Sequence, residues 1–357
     1  MIGLLLLLAF AIWRYIDTGL PNAFTTEFPS DLKVYLLGGE KVTGHQPLYA
    51  TDLLPGLPFT YPPFAGVVFS WLTESTALGI AWKALSVLVV LLVVRASTSK
   101  NALLLTAVFV LCLSPVQGTL FFGQINLLLM GLVCLDFLPR YRLPGIGVGL
   151  AAGLKLTPAF FILLLMQQRR WGAVFIVAFT FLCTVATGFS EVTDAKTFWT
   201  DAIFRTTRIG ADDNPGAQSI RQVLARAGYD ELWLWLVLSA LVTALGLFAS
   251  RRAPAPLAVS FIGMTSCLVS PFSWYHHWVW ILPMLAYVYN RWGAIVLALF
   301  MVPFASVNVF HAPQLLFTIG PVGFMLWHTL RSGYAHPFIR RGNRGRHRPD
   351  ACPVRRR

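Results

Sequence analysis

The chain has 357 residues, 56% of them hydrophobic and only 12% charged, with a net charge of +13 and a mean hydropathy of +0.66. A soluble domain carries roughly 25% charged residues, so the composition excludes an ordinary soluble globular protein. It also speaks against nucleic acid as a partner, because many of the Lys and Arg residues lie in short loops between apolar runs or in the tail Arg331–Arg357, with no basic face interleaved with aromatics. The class expected is an all-α polytopic membrane protein whose basic loops and tail meet membrane lipids.

Basic clusters at Arg95/Lys100, Arg140/Arg142, Arg169/Arg170, Arg251/Arg252 and Arg291, followed by the tail, set the expected topology. If all face the cytoplasm, an even number of crossings separates each from the next. The opening Met1–Ile16 run lacks the basic start and small-residue cleavage site of a signal peptide, so Ile2–Ile16 reads as a first transmembrane helix. An outer loop over residues 17–77 follows, with Pro-rich turns at Leu57-Pro58 and Tyr61-Pro62-Pro63. Within it Phe64–Leu72 is too short to span and is predicted to be a re-entrant or surface helix. Helices over Leu78–Val94, Ala102–Leu113 and Leu120–Leu138 come next, the second stopping at Ser114-Pro115.

Leu143–Met166 has the length of one span, but a single crossing would put Arg169-Arg170 on the wrong side. Two shorter helices broken at Lys155-Leu156-Thr157-Pro158 keep the rule, and Pro158 disrupts a continuous helix there. Lys155 then sits at an outer, water-accessible tip, where a broken helix lines a cavity. Trp171–Phe189 leads out to a second outer loop, 190–231, and Leu232–Phe248 leads back. Leu257–Val269, Trp278–Tyr289 and a pair flanking His311-Ala312-Pro313 complete about twelve crossings with both termini inside. The domain expectation is one transmembrane unit, 1–331, and a basic, disordered cytoplasmic tail, 332–357.

This topology gathers Asp31, Gln124, Asn126, Lys155, Arg205, Arg221, His276, His277 and His311 at the outer face, where ionisable groups lining a cavity are functional candidates. Asp31 reads either as a favourable acid at a helix N-terminus capped by Ser30 or as a general base for an acceptor hydroxyl. Lys155 is either a snorkelling lysine or a compact cation for a phosphate oxygen. His276-His277 either end an interfacial aromatic belt or bind a phosphate or sugar hydroxyl. The amides of Gln124 and Asn126 either hold a sugar or bridge helices. Gln218-Ser219-Ile220-Arg221 offers another polar group in what is otherwise a solvated loop. Asp212-Asp213 fits a turn with Asn214-Pro215-Gly216, and Asp136 with Arg140 fits an interfacial ion pair. Adjacent histidines do not form a helical zinc pair, none of the five cysteines forms a C-x-x-C, and neither a metal nor another cofactor is expected. No P-loop or dinucleotide motif is present.

Five blocks in order resemble glycosyltransferase family 87. They are Ser30–Tyr35, Pro58–Phe64, Gly123–Asn126, Gly147–Pro158 and Ser270–Trp278. The resemblance implies a GT-C fold whose outer-face loops form the active site. It also implies a polyprenyl-phosphate-mannose donor and a mannolipid acceptor (phosphatidylinositol mannoside, lipomannan or lipoarabinomannan), with α-1,2 linkage at the plasma membrane's outer face. By similarity Asp31 is the catalytic base, and Lys155 with His276 or His277 contacts the carrier phosphate. Tyr61, Gln124, Asn126, Ser219 and Arg221 complete a set facing sugar and acceptor. The run Asn214–Ser219 departs from the more compact Asn-Gln-Ser of the family pattern.

Inversion of a β-mannosyl phosphate needs one base, because the phosphate leaves without a protonating acid, unlike the alcohol that demands paired carboxylates in glycosidases. The alternatives are transfer of another lipid-linked sugar, such as arabinose or glucose, and a lipid-carrier flippase. A transporter would show inverted repeats and a midplane site, and neither is seen.

Overall fold

The computed structural model describes residues 2–17, 23–25, 27–138, 143–205, 208–211, 214, 216–305 and 314–334. His311, Arg140, Arg142, Asp212, Asp213, Pro215 and the tail from residue 335 lie outside the described residues.

The fold is helical. In chain order the helices are α1 (Ile2–Asp17), α2 (Ser30–Thr43), α3 (Pro63–Phe69), α4 (Thr76–Ser97), α5 (Ala102–Cys112) and α6 (Ser114–Phe122). They continue as α7 (Asn126–Phe137), α8 (Ile146–Leu154), α9 (Ile162–Gln167), α10 (Trp171–Glu191), α11 (Ala195–Thr200) and α12 (Ile220–Arg226). The last are α13 (Leu232–Ser250), α14 (Ala255–Val269), α15 (Ile281–Trp292), α16 (Ala294–Met301) and α17 (Gln314–Tyr334). A small antiparallel hairpin, β1 (Asp52–Leu54) and β2 (Leu57–Pro58), turns at Gly56, whose φ of 72° suits glycine.

Among the described residues three helices, α4, α10 and α13, are long and apolar enough to cross a bilayer. Their outward faces carry Leu88 and Leu92, Phe175 and Phe179, and Leu236 and Leu241, all exposed, as a lipid-facing surface requires. The chain is therefore a helical membrane protein. The helices α5 and α6 pass the same test together but bend by 74° between them, and five further apolar segments are shorter. Length and composition thus support three or four full spans, fewer than the twelve expected from charge placement.

The largest departure from expectation concerns Leu120–Leu138. A helix does begin at Ser114, with Pro115 in its first turn where the missing N–H costs nothing. It ends at Gly123 (φ 70°), and α7 starts afresh at Asn126. A Cβ on Gly123 would lie 2.6 Å from Pro29 Cβ and 2.9 Å from Leu32 Cβ. Glycine therefore serves both the left-handed backbone and the approach of the α2 N-terminus. The expected break at Lys155 is present: α8 ends there in extended backbone, and a 3-10 turn, Thr157–Phe161, precedes α9.

The helix α8 is wedged between α7 and α10 by small residues. Cβ atoms on Gly149 and Gly153 would collide with Thr180 and Thr184 of α10, and one on Gly147 with the Leu132 carbonyl of α7. Its N-terminus is held by Asp136, which is fully buried. The carboxylate accepts Gly145 N–H at 2.8 Å and Val148 N–H at 2.6 Å. Asp136 is thus a helix cap reaching across from α7, serving N-terminal N–H groups that have no helical partners; Arg140, its expected ion-pair partner, lies outside the described residues.

Candidate active site

A cavity of about 400 Å³ opens where these breaks converge. Asp31 and Tyr35 come to it from α2, Tyr61 from the loop after the hairpin, Gln124 from the α6–α7 turn and Lys155 from the α8 break. His277 enters from the 3-10 turn Tyr275–Trp280, and Arg205 and Arg208 line it from the segment between α11 and α12.

Asp31 lies in the first turn of α2 as expected, but Ser30 does not cap that helix. Pro29 occupies the cap position, and the Ser30 hydroxyl donates to Asp31 Oδ1 at 3.2 Å. Proline supplies extended backbone ahead of the helix and, through its carbonyl, accepts Lys33 N–H at 3.0 Å. Gln124 Nε2 donates a very short bond to Asp31 Oδ2. Gln124 Oε1 is approached by the hydroxyls of Tyr35 at 3.0 Å and Tyr61 at 3.1 Å, which are themselves 2.7 Å apart. Asp31 is half-buried, and burial raises its carboxyl above the ordinary range, opposed by the bonds from Gln124 and Ser30 and by the charge of Lys155.

The other end of the cavity is cationic. Lys155 Nζ donates to Asn126 Oδ1 at 3.0 Å, stands 5.2 Å above the Tyr61 ring and lies 3.3 Å from His277 Nε2. Trp274 N–H donates to His277 Nδ1 at 3.2 Å, which puts the proton of the neutral imidazole on Nε2. Two proton-bearing nitrogens therefore face each other. An anionic oxygen accepting from both would resolve the conflict.

The expected residues separate into three groups. Asp31, Tyr61, Gln124, Lys155 and His277 share the cavity, and Asn126 stands behind Lys155. His276 turns away: its ring packs among Phe122, Trp274 and Tyr275, and its carbonyl accepts from Thr119 and Asn126. Ser219 and Arg221 are not among the residues lining the cavity, and Ser219 is buried against Gln222. Their segment instead clips onto the Ser270–His277 block. Gln218 N–H donates to Ser273 O at 2.6 Å, Tyr275 N–H to Gly216 O at 3.1 Å and Gln222 Nε2 to Pro271 O at 2.7 Å. Gly216, Gln218 and Gln222 together form this clasp.

Tyr35 and Arg208 had not been singled out. Tyr35 stands one helical turn beyond Asp31, and that spacing was the available signal. Among the described residues no group of three or more His, Cys, Asp or Glu is placed to hold a metal.

The family model of glycosyltransferase family 87 matches residues 59–271. A polyprenol-phosphate-mannose-dependent alpha-(1-2)-phosphatidylinositol mannoside mannosyltransferase of Mycolicibacterium smegmatis is 34% identical over 305 residues, 71% of this chain and 68% of that one. Its namesake from Mycobacterium tuberculosis is 35% identical over 301 residues, 72% and 69%. A polyprenol-phosphate-mannose-dependent alpha-(1-2)-phosphatidylinositol pentamannoside mannosyltransferase of Mycolicibacterium smegmatis is 31% identical over 359 residues, 90% and 85%. No solved structure gives a significant match.

Proposed function

The chain belongs to glycosyltransferase family 87, and from that premise we propose that it transfers mannose from polyprenyl-phosphate-mannose to a phosphatidylinositol mannoside, forming an α-1,2 link. The observation that carries this reading is one cavity with a carboxylate at one end and, at the other, a lysine ammonium beside an imidazole N–H.

In the proposed reaction Lys155 and His277 hold oxygens of the carrier phosphate. An acceptor hydroxyl lies against Asp31. Its oxygen attacks the anomeric carbon, the bond from that carbon to the phosphate oxygen breaks, and the hydroxyl proton passes to the Asp31 carboxylate. Polyprenyl phosphate leaves as an anion whose charge the two nitrogens stabilise. Displacement in one step converts a β-mannosyl phosphate into an α-mannoside. Asn126 steadies Lys155, and Arg205 and Arg208 at the second outer segment face the acceptor's own phosphodiester. The cavity opens on the outer side of the membrane.

The test uses membranes from cells expressing the wild type or Asp31→Asn, supplied with radiolabelled polyprenyl-phosphate-mannose and a pool of mannosylated phosphatidylinositols. Wild-type transfer with a loss of at least about 100-fold in an equally expressed variant is expected for a general base. Equal transfer by both would remove Asp31 from the mechanism. No wild-type transfer would overturn the donor assignment.

A further inference from the structure

Behind the proposed base lies a chain of three polar groups, Gln124, Tyr35 and Tyr61, and its proton count has a consequence. We propose that Tyr35 and Tyr61 are positioning residues that act jointly through Gln124, locking its side-chain amide so that the NH2 end, rather than the carbonyl, faces Asp31. This rests on the reading of Asp31 as the base.

An amide has one accepting end and one donating end. A carboxylate only accepts, so Gln124 serves Asp31 in one orientation and repels it in the other. The two phenols choose between them. Tyr35 and Tyr61 lie 3.0 and 3.1 Å from Oε1, and their hydroxyls are 2.7 Å from one another. Two phenols carry two protons for these three contacts. In the arrangement that satisfies all the oxygens, one tyrosine donates to the other, which donates to Gln124. Oε1 therefore always receives at least one phenolic proton, whichever tyrosine supplies it. Both phenols are buried, and burial holds their pKa values well above the ordinary range, so neither proton is lost at working pH.

The arrangement predicts redundancy. Replacing one tyrosine by Phe leaves the other hydroxyl on Oε1 and the amide stays locked. Replacing both leaves on Oε1 only the long contact from Asn126 Nδ2, at 3.5 Å, too weak to hold the amide against turning. Phe keeps the aromatic body, so the core around Phe59 and Phe69 keeps its packing and Lys155 keeps a ring beneath it. The remaining titratable groups facing Asp31 are Lys155, Tyr275 and His277, with Arg205 and Arg208 also lining the cavity. None is altered by these substitutions, so a change in the acid limb reports the amide.

The experiment measures kcat, donor KM and the pH dependence of kcat/KM for mannosyl transfer in Tyr35→Phe, Tyr61→Phe, the double variant and Gln124→Met. Each single variant should lose about 3-fold in kcat, and the double should fall by on the order of 100-fold, well beyond the roughly 9-fold product of the two single losses. In the double variant the acid limb should move to higher pH by about one unit, because the ionised carboxylate loses a donor, while donor KM holds. Gln124→Met should match the double variant, and adding both Phe substitutions to it should change nothing further. Additive single effects with an unmoved acid limb, while the wild type transfers normally, would overturn this inference. Absence of transfer by the wild type would instead overturn the functional reading on which it rests.

Discussion

Asp31 was legible as a candidate because charge placement put it with other ionisable groups in the first long loop and the Ser30–Tyr35 block resembles the family pattern, but its partners were not. Gln124 lies 93 positions away, and nothing local to either residue indicates that Gly123 brings them together. The environment makes a prediction about pH. A base works only when ionised, and burial raises the pKa of Asp31 above the ordinary carboxylate range. Activity should therefore fall as pH drops through that raised value, beginning above about pH 4, the position for an unperturbed carboxyl. A pH profile of kcat/KM for the acceptor, with an acid limb at the ordinary carboxylate position, would contradict it. At the opposite end, Lys155→Met should raise donor KM or abolish transfer, and Lys155→Arg should not restore it, because a planar guanidinium does not fit between Asn126 Oδ1 and His277 Nε2. The two adjacent histidines show the limit of reading a motif. Sequence offered no way to choose between them, and the choice comes from Trp274 N–H, which turns the His277 ring toward Lys155 while His276 joins the aromatic core.

Among the elements, helices broken by Pro or crowded with Gly carried the most recoverable information. The break at Lys155 followed from charge placement and Pro158, and it is present. The break at Gly123 was missed because Leu120–Leu138 is apolar apart from Gln124, Asn126 and Asp136, and an isolated glycine within such a run is ordinarily tolerated. Here it is both a left-handed cap and the contact point for α2. Gly123→Ala should therefore separate Asp31 from Gln124 and cost activity far more than the roughly 1 kcal/mol that a left-handed alanine costs in backbone energy. Full activity in a well-expressed Gly123→Ala would remove that role. Asp136 shows a role that a local i, i+4 pattern does not reveal, a long reach to the N-terminus of α8. Asp136→Ala strands two buried N–H groups and should destabilise the protein by on the order of 3 kcal/mol. Thermal unfolding in detergent would register this as a clearly lowered midpoint, whereas an unchanged midpoint would show that the cap is dispensable.

On the scale of the whole molecule, the helices themselves relate the cavity to the basic loops. The helix α7 runs from Asn126 at the cavity to Asp136, whose carbonyl accepts from Arg170 at 2.8 Å. In turn α8 runs back from Ile146 to Lys155, and α14 runs from just after Arg251-Arg252 to Ser270 on the cavity wall. Hydrogen bonds pair the basic ends with each other: Thr98 and Ser99 with Asn290, and Ser250 with Gln167. The cavity and the basic clusters therefore sit at opposite ends of shared helices. At 1.5 Å per residue, the 15 residues of α14 rise about 22 Å, short of a hydrocarbon core of roughly 30 Å. A site at that depth lies within reach of a lipid-borne phosphate moving sideways in the bilayer. If the basic ends are cytoplasmic, a cysteine at Leu57, on the cavity rim, should react with a membrane-impermeant maleimide in intact cells lacking the native cysteines. One at Arg251 should react only after permeabilisation. The reverse pattern would place the cavity on the cytoplasmic side, where the carrier-linked donor would have to be consumed before it crossed the membrane.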